Sequence, residues 1–277
     1  MPELPEVETI VRGLVPDLVN RSIRRISTFR PDVLRQSKIS FSKGLKGRTV
    51  NSVSRRGKNI IIDLTDDIIL VVNLGMTGRL LLTRPGIQTA HIAVRFILDK
   101  EPDLVFDDVR RFGSLEVLTA KDWELRSQKL GPEPLSADYT NKRLQIDLAK
   151  SSSPIRSWLL DQHRLAGIGN IYANEALHLA GIHPRRSARS INKIEAKALH
   201  RAIRTVLRSA IRNRGTTLRD YRDSSGAPGK NAAKLKIYGR TGKSCHYCSG
   251  EIIRSVFGNR PAFYCPSCQP EPKEKRK

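Results

Sequence analysis

All four cysteines of this 277-residue chain lie in its last thirty-three residues, as Cys245-x2-Cys248 and Cys265-x2-Cys268 with sixteen residues between the pairs. Thiolates two residues apart can each clamp one edge of a tetrahedral metal, and the intervening stretch has the length of a β-hairpin joining two such knuckles. The C-terminal end is therefore expected to be a small module built on a metal rather than on a hydrophobic core. Four sulfur ligands fill a zinc coordination sphere, so the expected ion, one Zn2+ per chain, is structural and cannot activate water. His246 is a bystander, since four cysteines already suffice. Disulfides are the competing reading, but they fit poorly in a chain that otherwise looks intracellular and holds no other cysteine.

Charge narrows the partner. Fifty Lys and Arg against twenty-seven Asp and Glu leave a net +23, an excess that points to a polyanion bound largely through counterion release. An anionic membrane is the rival surface, but no apolar run approaches the ~18 residues of a spanning helix and no signal-peptide pattern opens the chain. A soluble intracellular protein with a polyanion as partner is expected. With 39% hydrophobic residues the chain can bury two cores of ordinary size.

The opening, Met1-Pro2-Glu3-Leu4-Pro5-Glu6-Val7-Glu8, runs straight into an amphipathic helix marked by Val7, Ile10, Val11 and Leu14. Pro5 sits in the first turn, where proline costs no hydrogen bond. Removal of Met1 would leave the secondary amine of Pro2 at a helix terminus. An α-amino group titrates near pH ~8 against ~10.4 for lysine, so more of it is neutral and nucleophilic at physiological pH. The partial positive charge of the helix end favours the neutral form further, and Glu3 is at hand to carry protons. The plainer alternative is that proline and glutamate merely open a helix.

Further along, residues 58 to 118 hold short β-branched runs, Ile60 to Ile62, Ile68 to Val72 and His91 to Ile97, punctuated by Gly75, Gly78, Pro85 and Gly86. Their spacing predicts an antiparallel sandwich. A helix over residues 120–130 is expected to end at Gly131, and residues 131–136, Gly-Pro-Glu-Pro-Leu-Ser, read as a stiff connector. A helical region follows. Ile194, Leu199, Ile203, Val206, Leu207, Ala210 and Ile211 mark a long helix closed by Gly215, with Arg201, Arg204, Arg208 and Arg212 available to its wet face. Residues 219–236 lack periodicity and read as a mobile loop. The expected segmentation is 1–130, a connector 131–136, a helical domain 137–222, a loop 223–237, and a metal module with a basic tail 238–277.

The stretch from Leu160 to Glu175 places Gly167 and Gly169 just before a helix beginning near Asn170, where free backbone N–H groups suit a phosphate. Together with Pro2 to Glu6, Asn73-Leu74-Gly75-Met76-Thr77-Gly78, Arg110-Arg111-Phe112-Gly113 and Tyr238-Gly239-Arg240, in that order along residues 2 to 268, it closely resembles bacterial formamidopyrimidine-DNA glycosylases.

That resemblance implies an α+β multidomain fold: an N-terminal antiparallel β-sandwich with its N-terminal helix, a helix-two-turn-helix domain and a C-terminal zinc-finger β-hairpin. It implies a monomer that acts on damaged double-stranded DNA in the bacterial cytoplasm, at the nucleoid, without membrane or cofactor beyond zinc. The activity implied is that of a bifunctional glycosylase and lyase of base-excision repair that removes oxidised purines through a Schiff base and then cleaves the strand by β- and δ-elimination. By position, Pro2 would be the nucleophile, Glu3 the proton shuttle, Lys58 a phosphate contact that assists strand cleavage, and Arg260 the grip on the flipped nucleotide's phosphate.

Met76, Arg110 and Phe112 would refill the hole left in the base stack, with Arg110 reading the orphaned cytosine. For Phe112 and Met76 core packing is the alternative. His91, Ser151 and Asn170 would contact DNA, and Glu6 and Glu175 would support the amine and the flipped nucleotide. Two single positions depart from the family pattern, Asn73 where a histidine is usual and Arg156 where a lysine is frequent, and the loop at residues 219–231, whose family counterpart closes over the extruded base, departs more. The rivals are the related endonuclease VIII type, specific for oxidised pyrimidines, and a zinc-ribbon DNA-binding protein without catalysis.

Overall fold

The computed structural model describes residues 2–83 and 89–271; the turn signals Pro85 and Gly86 and the last residues of the basic tail lie outside them. The chain folds as two compact units. One comprises residues 1–129 with 210–232, the other residues 130–209 with 233–277. Packing thus departs from the contiguous segmentation suggested by the sequence, because residues 210–232 return to the first unit.

The first unit opens with helix α1 (Leu4–Leu18), which buries Leu4, Val7, Ile10, Val11, Leu14 and Leu18. Strand β1 (Ile23–Thr28), helix α2 (Lys38–Leu45) and seven further strands follow: β2 (Val50–Arg56), β3 (Asn59–Leu64), β4 (Ile68–Asn73), β5 (Arg79–Leu82), β6 (Ile92–Leu98), β7 (Leu104–Asp107) and β8 (Ser114–Thr119). They form two four-stranded antiparallel sheets, β1-β6-β7-β5 and β2-β3-β4-β8. Two strands of this sandwich lie upstream of the stretch where the sequence predicts it. β1 reads Ile-Arg-Arg-Ile-Ser-Thr with both arginines exposed, so its apolar content is too sparse to announce an edge strand.

The unbroken runs of β3 and β4 have a structural cause. Ile60, Ile62, Leu70 and Val72 enter the main core, while Ile61, Ile69 and Val71 on the opposite face are covered by helix α3 (Ala120–Ser127) through Trp123. A sheet buried on both faces loses the alternation of a half-wet strand. α3 ends before the expected Gly131. That glycine serves close packing instead: a Cβ there would lie 2.5 Å from the Arg164 backbone carbon.

The second unit holds α4 (Asn141–Ala149), α5 (Ile155–Leu160), α6 (Asn170–Leu179) and most of α7 (Lys193–Arg212), then the hairpin β9 (Ile253–Phe257) and β10 (Arg260–Tyr264). α7 begins with a reciprocal cap. Asn192 Oδ1 accepts the N–H groups of Ile194 and Glu195, and Glu195 accepts that of Asn192. Ile194, expected on the apolar face, falls in this first turn and is 81% exposed. At the far end Gly215, at φ +80°, returns its N–H to the Ala210 carbonyl. Of the four arginines assigned to the wet face, Arg204 turns inward and donates to the carbonyls of Pro134 and Ser136, so it fastens the connector.

Phe41 of α2 is fully buried with its ring centroid 6.2 Å from that of Phe96. Phe41→Ala should cost about 3–5 kcal/mol of stability, read as a lower midpoint of the first unit in urea; a loss under about 1 kcal/mol would show that this site collapses without a cavity.

Candidate functional site

Pro2 and Glu3 are buried at the head of α1. The geometry there is set by Glu6, 1% exposed. Its Oε2 accepts the Glu3 N–H at 2.9 Å and its Oε1 accepts the Thr216 N–H at 2.7 Å. The first contact fixes the backbone that carries the terminal residues. The second binds them to the segment that follows α7. Tyr221 adds its hydroxyl to the Glu6 and Arg214 carbonyls. A Cβ on Gly215 would come within 3.1 Å of the Glu6 side chain, so glycine is needed there for approach as well as for its positive φ.

The segment read as a mobile loop is organised by Asp223. Its Oδ1 accepts from the N–H groups of Ser225 and Ala227 and from the Ser225 hydroxyl, and its Oδ2 from Arg214 at 2.6 Å. Side-chain caps leave no periodicity in a sequence, which is why composition alone shows only a loop.

Lys58 occupies the two-residue turn between β2 and β3, with Gly57 at φ +60° and Arg56 paired to Asn59. Arg55 ties that turn to α1: its Nε donates to Glu8 Oε2 at 3.0 Å and its NH1 to the Gly57 carbonyl. Glu8 and Arg55 therefore hold the hairpin carrying Lys58 against the helix whose head is Pro2 and Glu3.

Met76, Arg110 and Phe112 stand together on two loops. Phe112 is 56% exposed and Met76 41%, which excludes core packing for both. The Arg110 guanidinium lies 4.5 Å from the Phe112 ring centroid, and its NH1 points at Met76 Sδ at 3.4 Å. Asp108 is the buried anchor, accepting from the Thr77 hydroxyl at 2.5 Å and from the N–H groups of Arg110 and Gly113. Gly75, at φ +55°, permits the contact, because a Cβ would lie 2.4 Å from the Phe112 carbonyl carbon. Asn73 is at home here: its Oδ1 accepts the Gly75 N–H and its amide donates to Asn59.

Exposed His91 hangs on the neighbouring carboxylate, its N–H donating to Asp107 Oδ2 at 2.8 Å, beside a depression of about 320 Å³ that Arg30 and Arg111 also line. Sequence reasoning missed Thr77, Asp107 and Asp108. The available signal was an Asp-Asp pair at the end of an apolar strand, immediately before Val-Arg-Arg-Phe-Gly.

In the second unit Arg260 is exposed and opens β10, across a turn in which Gly258 and Asn259 both take positive φ. Arg156, buried, holds both sides of that turn through the carbonyls of Phe257 and Pro261 and donates to Asn170 Oδ1 at 2.6 Å. Burial, then the charge of Arg260, lowers the Arg156 pKa to about 10, which leaves it cationic at neutral pH. Asn170 also donates to the Pro261 carbonyl. Ser151 is buried, with its hydroxyl accepting the Ser153 N–H.

Glu175 receives the N–H groups of Lys236, Ile237 and Tyr238. Burial pushes its carboxyl pKa up, and those N–H groups pull against that. Its visible task is to fix the turn at residues 236–238 that leads into the cysteine module. There the sulfurs of Cys245, Cys248, Cys265 and Cys268 all lie within 4.8 Å of one another, with Cys245–Cys268 at 3.8 Å and Cys248–Cys265 at 3.4 Å. Tetrahedral thiolates at ~2.3 Å from zinc would be ~3.8 Å apart, so the four can hold a metal ion of that size.

A sandwich headed by a buried Pro-Glu terminus, a helical unit and a four-cysteine hairpin define a helix-two-turn-helix protein. The family model for the formamidopyrimidine-DNA glycosylase N-terminal domain matches residues 1–115, and that for the formamidopyrimidine-DNA glycosylase H2TH domain matches residues 130–222. The chain belongs to the formamidopyrimidine-DNA glycosylase family. It is 40% identical over 271 residues to the formamidopyrimidine-DNA glycosylase of Chloroflexus aurantiacus, covering 97% of this chain and 98% of that one. It is 44% identical over 258 residues to that of Moorella thermoacetica, covering 92% and 94%. Among solved structures, a Lactococcus lactis variant in complex with Fapy-dG-containing DNA superposes with a TM-score of 0.90 at 34% identity, covering 98% of this chain and all of that one. The Thermus thermophilus protein gives 0.88 at 38% identity, with 98% and 100% covered.

Burial alone would raise the Glu8 carboxyl pKa, but the hydrogen bonds and charges of Arg12 and Arg55 outweigh it and hold the group below the ordinary value of 4.5. A carboxyl depressed in the folded state adds stability that is complete above the ordinary value and disappears as pH falls through the folded one. Glu8→Gln should therefore lower stability at neutral pH and flatten the acid limb of the stability profile, with the two proteins converging at the lowest pH. Parallel limbs would show that the Glu8–Arg55 tie contributes nothing.

Proposed function

We propose that this chain is a bifunctional DNA glycosylase and apurinic/apyrimidinic lyase of base-excision repair, removing 8-oxoguanine and formamidopyrimidines from duplex DNA. The observation that carries the reading is the exposed Arg110–Phe112–Met76 cluster on the same compact unit as the buried Pro2–Glu3 helix head. A protein that only coats DNA needs phosphate contacts; a solvent-exposed wedge is what base extrusion requires.

With Met1 removed, the Pro2 nitrogen attacks the sugar C1′ and the glycosidic bond breaks, its electron pair leaving with the base. The ring opens to an iminium, and Glu3 carries the protons in that step. Loss of a C2′ proton then expels the 3′ phosphate, and a second elimination expels the 5′ phosphate. Lys58 assists the proton transfers beside the lesion. Arg260, held on its hairpin by Arg156 and Asn170, neutralises the departing phosphate. His91 and Asn170 contact the backbone. The metal is zinc, one per chain, and structural, because all four sulfurs are spent as ligands. Among the described residues no helix is long and apolar enough to cross a membrane, and the net +23 suits a monomer that works on the nucleoid in the cytoplasm.

Borohydride added during reaction with an 8-oxoguanine duplex should trap a covalent complex through Pro2. A form that retains Met1 and still traps at full yield would sink the assignment, and preferential trapping on oxidised pyrimidines would favour the endonuclease VIII type.

Phe112→Ala should slow excision opposite cytosine by about 10- to 100-fold, the equivalent of ~1–3 kcal/mol of base–aromatic stacking, while leaving the salt dependence of binding intact. Arg110→Ala should in addition relax discrimination of the opposite base, because only the guanidinium can read a base edge by hydrogen bonding. Equal loss of discrimination in the two variants would contradict the division of labour.

A further inference from the structure

His178, in the last turn of α6 and 3% exposed, places its Nε2 at 3.4 Å from Cys245 Sγ. Its ring lies 5.2 Å, centroid to centroid, from that of Tyr247, inclined by 30°. The Tyr247 N–H also points at Cys245 Sγ, at 3.5 Å. A metal-bound thiolate has no proton and can only accept, so the histidine nitrogen facing it must be the one that carries hydrogen. Cys248 and Cys265 are approached by backbone N–H groups, those of Gly250 and of Ser267 and Cys268. Cys245 differs in being reached by a side chain from a helix outside the cysteine module.

That helix meets the module along one face, because positions 170, 174, 175 and 178 recur at helical spacing. Asn170 binds the Pro261 carbonyl, Asn174 Oδ1 accepts the Phe263 N–H at 2.8 Å, and Glu175 gathers three N–H groups of residues 236–238. His178 is the fourth contact and the only one of these that ends on a metal ligand.

We propose that His178 is a positioning residue of the metal centre, whose Nε2–H hydrogen bond to the Cys245 thiolate couples α6 to the metal and slows metal loss. The inference rests on the zinc reading of the four cysteines. Four thiolates around one divalent ion leave a net charge of −2, and a buried N–H donor offsets part of it on the sulfur that carries the contact. Removing the donor should make Cys245 the first ligand to dissociate.

The test compares the wild-type protein with His178→Phe, which keeps a ring against Tyr247 but has no donor, and His178→Gln, whose amide N–H has similar reach. Zinc release to 4-(2-pyridylazo)resorcinol should be about 10- to 100-fold easier in His178→Phe, the usual effect of losing an outer-shell partner, and close to wild type in His178→Gln. In Co(II)-substituted protein the thiolate-to-metal charge-transfer band should move to lower energy in His178→Phe and return in His178→Gln. Equal metal retention in all three proteins, or equal loss in both variants, would overturn the hydrogen bond and leave His178 a packing residue. A wild-type chain that binds neither zinc nor Co(II) would overturn the zinc reading itself and this inference with it.

Discussion

The first unit is organised around one buried side chain. Glu6 is buried to 1% exposure, and its two oxygens accept the N–H of Glu3 and the N–H of Thr216. An unpaired polar atom at such depth costs ~1–3 kcal/mol, so the helix head and the returning segment are each needed to complete the other. Gly215 leaves room for the carboxyl, and Ser224 packs so closely on α1 that a Cβ at Gly13 would lie 2.2 Å from its hydroxyl oxygen. The residues proposed for chemistry thus sit on a helix terminus held from both sides. A reactive amine at a frayed chain end would lose much of its advantage to disorder.

The second unit has an equivalent in α6. One helical face supplies Asn170, Asn174, Glu175 and His178 to the hairpin, to the turn that leads into the cysteine module and to the cysteine cluster itself. Arg156 then closes on the turn that presents Arg260. Small metal modules have little apolar core of their own; here it comprises Ile237, Ile252 and Phe263 with two of the cysteines. The polar contacts from α6 set where that hairpin points, and so where its exposed arginine can act.

The two single positions that the resemblance marked as departures are accommodated locally. Asn73 satisfies both Gly75 and Asn59, which maintains the approach of the loops bearing Met76 and Phe112. Arg156, unlike a lysine, has a fork of donors that can reach two carbonyls and an amide at once. Each departure keeps the backbone geometry that its neighbours require.

What could be read from the chain alone were features carried by spacing and residue type. Paired cysteines, the Pro-Glu head of an amphipathic helix, the β-branched runs and the ordered motifs of the family pointed to the sandwich, the helical region, the metal module and the proposed catalytic set, because each is local in sequence. The tertiary structure decided the rest. The buried acceptors Asp107, Asp108 and Asp223 look like ordinary surface aspartates until the backbone N–H groups they serve are brought around them. By residue type alone Phe112 and Met76 read more readily as core residues, and only their exposure removes them from the core. The return of residues 210–232 to the first unit, through Thr216 and Glu6, joins positions 210 residues apart. No local pattern encodes such a pairing, because its free energy exists only once both partners are buried together.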